Sequence, residues 1–153
     1  MSELFSLEDI FNIMIELESM GNEHYSYMSD TTNNAKLKVL FKQLAEAELA
    51  HKELYEQFKT ESISFSHEKV DKEYKAYIEV LLNQTVQFLN ESRVISNFEK
   101  GFSISIQLEK DTILFLNEIR SIIEASYHEA IDKVITQEKG HLKALYEFKD
   151  KIK

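Results

Sequence analysis

Two short segments of this chain set a carboxylate and an imidazole one helical turn apart: Glu48 with His51 in AEAELAH, and Glu138 with His141 in TQEKGH. Residues three apart share a helix face, so each pair can offer two donors to one ion. Neither pair sits where charge belongs. Read outward at steps of three and four, Leu37, Phe41, Leu44, Glu48, His51, Tyr55 and Phe58 form one stripe, and Ile131, Val134, Glu138, His141, Leu145, Phe148 and Ile152 form another. Apolar spacing of this kind marks the face that a helix buries. Two more stripes carry one acid each: Leu7, Phe11, Met14, Glu18, Gly21, Tyr25, Met28, and Phe102, Ser105, Glu109, Thr112, Leu116, Ile119, Ile123.

Matches to ExxH are weak by themselves, because the motif is short. Their placement carries the weight. A carboxylate alone in a dry core costs several kcal/mol or gives up its charge, and no Lys or Arg stands in any of these stripes to pair with it. Metal removes the difficulty. Two divalent ions balance four carboxylates, and two imidazoles complete a nitrogen and oxygen donor set that suits iron, with manganese the alternative. Oxidation of both ions leaves two positive charges that a dianionic oxygen species can cancel. The charge balance therefore favours two-electron redox chemistry with peroxide or dioxygen.

Bringing the six donors together requires four long helices. The apolar spacing predicts helices over about 7–29, 35–59, 98–124 and 127–152, in a single all-α domain covering residues 1–153. Ser6 with Asp9, and Ser126 with Glu129, read as capping signals. The polar cluster Asp30-Thr31-Thr32-Asn33-Asn34 joins the first two helices as a short turn, which makes them antiparallel. At ~1.5 Å per residue, Glu18 and Glu48 then lie roughly 18 and 20 Å from that turn, at one level. Residues 61–97 break the pattern and read as a long connection: loop over 61–69, then an amphipathic helical stretch from about 72 to 89 with Tyr74, Tyr77, Ile78, Leu81, Leu82 and Phe88. An internal repeat supports this layout. Glu48, His51 and Phe58 match Glu138, His141 and Phe148 at an offset of 90 residues, and Leu17-Glu18 matches Leu108-Glu109 at 91. Two like hairpins related by a pseudo-twofold axis meet at a common centre only if the third bundle helix runs parallel to the second.

Composition excludes several classes. The chain has 153 residues, no Pro, no Cys and a formal charge of −9. Without Cys there is no disulfide framework, no thiolate nucleophile and no Cys-ligated zinc or iron. The negative charge argues against nucleic acid, whose phosphates call for a Lys and Arg surface. No apolar run approaches a membrane span, and the acidic start MSELFSLEDIF is unlike a signal peptide, so the expected location is cytoplasmic.

The segments LESMGNEHYSYM, AEAELAH, LEKDTILF and TQEKGH, in that order, resemble the rubrerythrin branch of the ferritin-like superfamily over residues 6–150. The resemblance implies a ferritin-like antiparallel four-helix bundle with a long, partly helical crossover between its second and third helices. It implies a di-iron site in which Glu18 and Glu109 are terminal ligands, Glu48 and Glu138 bridge, and His51 and His141 each supply one nitrogen. It also implies peroxidase activity toward hydrogen peroxide and, by analogy, a homodimer. Two positions depart from the family pattern: Thr112 stands where rubrerythrins proper have a second Glu, and Leu116 where relatives have a Tyr whose repeat mate here is Tyr25. A rubredoxin domain needs four Cys, so the electron donor is expected to be an external, rubredoxin-type protein. A ferroxidase or iron-binding protein and a di-iron oxygenase remain alternatives.

Further residues are assigned from spacing. Tyr25 lies two turns from Glu18, roughly 10 Å along the axis, too far to ligate but able to reach a ligand from behind. Tyr55, one turn from His51, has a weaker case for the same role. His24, His67 and His128 fall off the stripes or in loops and read as solvated surface. Gly140 costs ~1 kcal/mol of helix stability relative to Ala, which close approach of a neighbouring backbone would explain.

Overall fold

A computed structural model of the chain describes residues 5–65, 69–70, 72–94 and 98–151. The elements are β1 (Phe5–Ser6), α1 (Leu7–Thr31), α2 (Ala35–Phe65), β2 (Lys69–Val70), α3 (Lys72–Val94), α4 (Phe98–Ile122), a 3-10 turn (Ala125–Tyr127) and α5 (His128–Lys151). The fold is all-α apart from one short antiparallel pairing, Phe5 with Val70 and Ser6 with Lys69, which ties the start of α1 to the segment leading into α3.

The turn between α1 and α2 forms as its polar residues dictate. Asn34 caps α2, its Oδ1 accepting the amides of Lys36 at 3.0 Å and Leu37 at 3.1 Å. The helices then run antiparallel: Ser29 Oγ donates to the Lys38 carbonyl at 3.1 Å near the turn, and Asn22 Nδ2 to the Ala45 carbonyl at 2.7 Å two turns further down. Helix α2 continues to Phe65, past the expected end at Lys59. Nothing in residues 60–65 breaks a helix, and Thr60 returns its hydroxyl to the Glu56 carbonyl at 3.1 Å, so propagation is cheap. The loop expected over 61–69 is thus partly helix; residues 66–68, with His67, lie outside the described residues.

Helix α4 runs opposite to α1, since His24 meets Ser105 and Met28 meets Gly101. It is therefore parallel to α2, as the internal repeat requires. Helix α5 runs opposite to α2, with His51 beside Gln137 and the Phe58 and Tyr127 rings 5.0 Å apart. The crossover helix α3 lies along the outside of α1 and α4. Its Tyr74 hydroxyl donates to Glu118 Oε2 at 2.8 Å, Thr85 reaches Asp111 at 3.3 Å, and Ile78 is fully buried. Leu82 and Phe88 lie outside the side chains described. At the α4 to α5 corner, the expected capping box at Ser126 is not used. Ser126 donates to Glu124 at 3.4 Å, and the 3-10 turn opens α5 instead.

The core is layered. Phe11, Phe58 and Tyr127 pack at one end of the bundle, and Tyr25, Phe41, Phe98 and Phe102 at the other. Between these aromatic layers lies a polar one, which they close off from water along the bundle axis.

Candidate metal centre

All six donors picked from the sequence converge in that middle layer. Glu18, Glu48, Glu109 and Glu138 are buried at 3% exposure or less, and His51 at 4%; the His141 ring keeps 20% of its surface. Two overlapping groups form. Glu18, Glu48, His51 and Glu138 place one ligand atom each within 4.8 Å of the others, and so do Glu48, Glu109, Glu138 and His141. Glu48 and Glu138 belong to both groups, one on each of the two helices that carry ExxH.

The polar atoms in this layer lack the partners a finished protein core would give them. Glu18 Oε2, Glu48 Oε1, Glu109 Oε2, both Glu138 oxygens and the Nδ1 atoms of His51 and His141 are buried without a hydrogen bond. His51 Nδ1 lies 2.9 Å from Glu138 Oε1 and 3.6 Å from Glu18 Oε2, and His141 Nδ1 lies 3.7 to 3.9 Å from Glu138, Glu109 and Glu48. Among the described residues, the only cationic partners of these four acids are the two imidazoles. Such a set of lone pairs aimed at two points fits a pair of divalent ions and fits no hydrogen-bonded core.

The electrostatics without metal agree. Burial pushes the Glu18, Glu48 and Glu109 carboxyls up, reinforced at Glu48 by the charges of Glu18 and Glu138 and at Glu109 by that of Glu138. Burial pulls His51 down, but the neighbouring Glu138 and Glu18 carboxylates outweigh it and raise the ring to about 10. Glu138 answers in kind: burial raises it, yet the adjoining Glu109, His141 and His51 side chains hold it well below the usual carboxylate range. Protons and an ion pair thus stand in where metal charge is lacking.

Tyr25 stands behind the ligands. Its hydroxyl donates to Glu109 Oε1 at 2.6 Å, with the Ser105 carbonyl at 3.4 Å, and burial followed by the Glu109 charge keeps the phenol protonated. Tyr55 is fully buried, but its hydroxyl has no hydrogen-bond partner, so it does not hold a ligand as Tyr25 does.

His24 is not on the surface as its spacing suggested; it is 6% exposed, wedged between α1 and α4. Ser105 gives its hydroxyl proton to the Gly101 carbonyl at 2.9 Å, so its Oγ accepts from His24 Nε2–H at 2.8 Å. Burial lowers this imidazole to about 4, and it stays neutral. The signal in the sequence was Ser105, a polar residue in an apolar stripe whose hydroxyl oxygen can still accept after its proton goes to its own helix. His128 is half-buried rather than solvated, its Nε2 bonded to the Ile123 carbonyl at 3.1 Å.

Two glycines on bundle helices behave oppositely. A Cβ at Gly140 meets nothing within 4 Å, so no neighbouring backbone explains that glycine. A Cβ at Gly21 would stand 3.1 Å from Glu48 Oε2, so this glycine makes room for the carboxylate. Gly140→Ala should therefore raise stability by about 1 kcal/mol, seen as a higher Tm, and leave metal binding unchanged. Gly21→Ala gains the same helix propensity but should weaken metal binding. Equal metal affinity in the two variants would contradict the contact assigned to Gly21.

Among the described residues, no helix is long and apolar enough to cross a membrane. Residues 9–149 match the family model described as Rubrerythrin. The structure superposes on the crystal structure of a Thermotoga maritima protein described as a "putative ferritin-like diiron-carboxylate protein", with a TM-score of 0.74, covering all of both chains at 23% identity. At that identity the likeness speaks for the ferritin-like bundle. No protein with a curated description matches the sequence. With a four-helix frame of this topology, a buried layer of Glu and His at its centre and a family match over nearly its whole length, the chain belongs to the rubrerythrin family.

Proposed function

We propose that this chain holds two iron ions in its central layer and reduces hydrogen peroxide with electrons delivered by an external carrier. The observation that carries the reading is the sharing of Glu48 and Glu138 between two four-donor groups. In this reading Glu48 and Glu138 would serve both ions, Glu18 and Glu109 would serve one each, and His51 and His141 would each offer Nδ1 to one ion. Iron bound there would supply two electrons at one place, which with two protons convert one hydrogen peroxide into two waters. The protein's part is to hold the donors and exclude water. The aromatic layers keep solvent from the carboxylates along the axis, and Tyr25 holds a proton at Glu109 Oε1 while fixing that carboxylate's orientation. The 153 residues include no Cys to hold an electron-transfer iron, which supports a rubredoxin-type reductant.

The oxygenase alternative asks for an apolar chamber against the metals. A cavity of about 310 Å³ lies between α1, α3 and α4, lined by Leu17, Leu81, Thr85, Asp111 and Phe115 among others, but none of the six donors lines it. Thr112 and Leu116 are themselves buried, at 3% and 1% exposure.

The test is anaerobic reduction of iron-loaded protein followed by separate exposure to peroxide and to dioxygen. One equivalent of hydrogen peroxide per site should oxidise the centre faster than dioxygen does, and steady turnover from NADH should require an added rubredoxin-type carrier and its reductase. Faster reaction with dioxygen, with Fe(II) consumed and retained as mineral, would instead establish iron handling.

A further inference from the structure

The two halves of the bundle repeat, but the support behind the two histidines does not. His51 presents Nδ1 to the carboxylates and turns Nε2 outward, where Gln137 Oε1 lies at 2.5 Å. An amide oxygen only accepts, so Nε2 carries a proton, and once the Nδ1 proton of the metal-free ion pair is lost the Nδ1 lone pair is left for the centre. Gln137 immediately precedes Glu138 on α5 and is itself exposed. At the repeat offset of 90 residues its counterpart, immediately before Glu48, is Ala47. Alanine has no group to accept a ring N–H. His141 accordingly makes no hydrogen bond through its outer nitrogen among the described residues, and its ring is 20% exposed.

The exposure of the two rings differs in the same sense, 5% for the His51 side chain against 20% for that of His141. His51 and Gln137 share a surface groove of about 590 Å³ between α2 and α5, with Leu54, Ala130 and Val134 on its walls. Gln137 is the groove residue that meets the outer nitrogen of His51. A partner on the outer nitrogen fixes the tautomer, orients the ring and makes the ligating nitrogen more basic.

We propose that Gln137 is a positioning residue that holds His51 as the Nε2–H tautomer, and that its absence behind His141 makes the metal position on the His51 side the tighter of the two. The inference rests on the reading of this layer as a two-metal site and adds an order of filling to it.

Cobalt(II), added anaerobically, is a suitable probe, because it reports stoichiometry by absorption and shifts the ring N–H protons of bound histidines out of the main NMR envelope. Wild-type protein should bind two Co(II) in separable steps, with one ring N–H exchanging slowly with solvent and one fast. Gln137→Ala should weaken the first step by about tenfold to a hundredfold and make both ring protons exchange fast. Gln137→Glu, which keeps an acceptor at the same reach, should restore the slow proton and the tight step. Ala47→Gln should slow the His141 proton and bring the second step closer to the first. Two Co(II) bound with the same affinities and the same exchange in wild type and Gln137→Ala would overturn the inference while leaving the two-metal reading intact. No Co(II) bound by the wild type would end both.

Discussion

Replacing Glu138 with Ala should empty both metal positions at once. This carboxylate is in both donor groups, it is fully buried, and both its oxygens are without hydrogen bonds. Losing an outer partner of a ligand already costs about tenfold to a hundredfold in affinity. Losing a ligand that serves two ions should exceed that at each, and metal content after loading should fall from two ions per chain toward none. Glu48→Ala should behave in the same way. His51→Ala and His141→Ala each remove a donor from one group only, so each should leave one ion bound. The variants can be compared by metal analysis alongside circular dichroism, which separates loss of metal from loss of fold. Independent loss of a single ion in Glu138→Ala would refute the bridging assignment.

Stripped of metal, the protein should become less stable as pH rises from about 5 to about 8. Glu18, Glu48 and Glu109 have folded-state pKa values raised by burial, with the charges of neighbouring acids adding to it at Glu48 and Glu109. Acids raised in this way bind more protons folded than unfolded, so their stability is fully present below the unfolded value of 4.5 and is lost as pH climbs through the raised ones. His51, raised from 6.5 to about 10, has the same sign over its own window. Glu138 has the opposite sign, but its depressed value places that loss below the usual carboxylate range, under the window tested. Every shifted ligand that titrates between about pH 5 and 8 therefore works in one direction. Each additional proton held by the folded state contributes roughly 1.4 kcal/mol per pH unit. At about 2 to 4 °C per kcal/mol for a chain of this size, the Tm of the metal-free protein should fall by several degrees per unit. Metal-loaded protein should lack the trend, because bound ions keep the carboxylates ionised. Thermal melts of chelator-treated and loaded samples across this range make the comparison, and a flat metal-free curve would contradict a buried acid cluster.

The positions of the six donors could be read from the chain because they obey the periodicity of single helices. A helix that buries one stripe fixes which residues point inward, so Glu18, Glu48, His51, Glu109, Glu138 and His141 had to share an interior, and the Asp30 to Asn34 turn set the level of the first two. Tyr25 followed from the same stripe. The repeat made α4 parallel to α2 and assigned residues 61–97 to a crossover. These features depend on spacing along one chain direction, which sequence carries in full.

What the sequence could not decide depends on how one helix meets the next. His24 is one residue off its stripe and would be wet on an isolated hairpin. It is dry because α4 comes close enough that a Cβ on Gly101 would meet Met28 Sδ at 2.6 Å. Gln137 is not on the stripe that carries Glu138 and His141, and becomes the partner of His51 only through the α2 to α5 register. Gly21 was visible as a gap in a stripe, but that the gap holds the Glu48 carboxylate is a fact of side-chain packing between α1 and α2. Helix periodicity gives each side chain a direction, and contact needs a second helix at a known distance and height. The sequence by itself therefore determined which residues form the centre, whereas the tertiary structure decided which groups hold those residues in place.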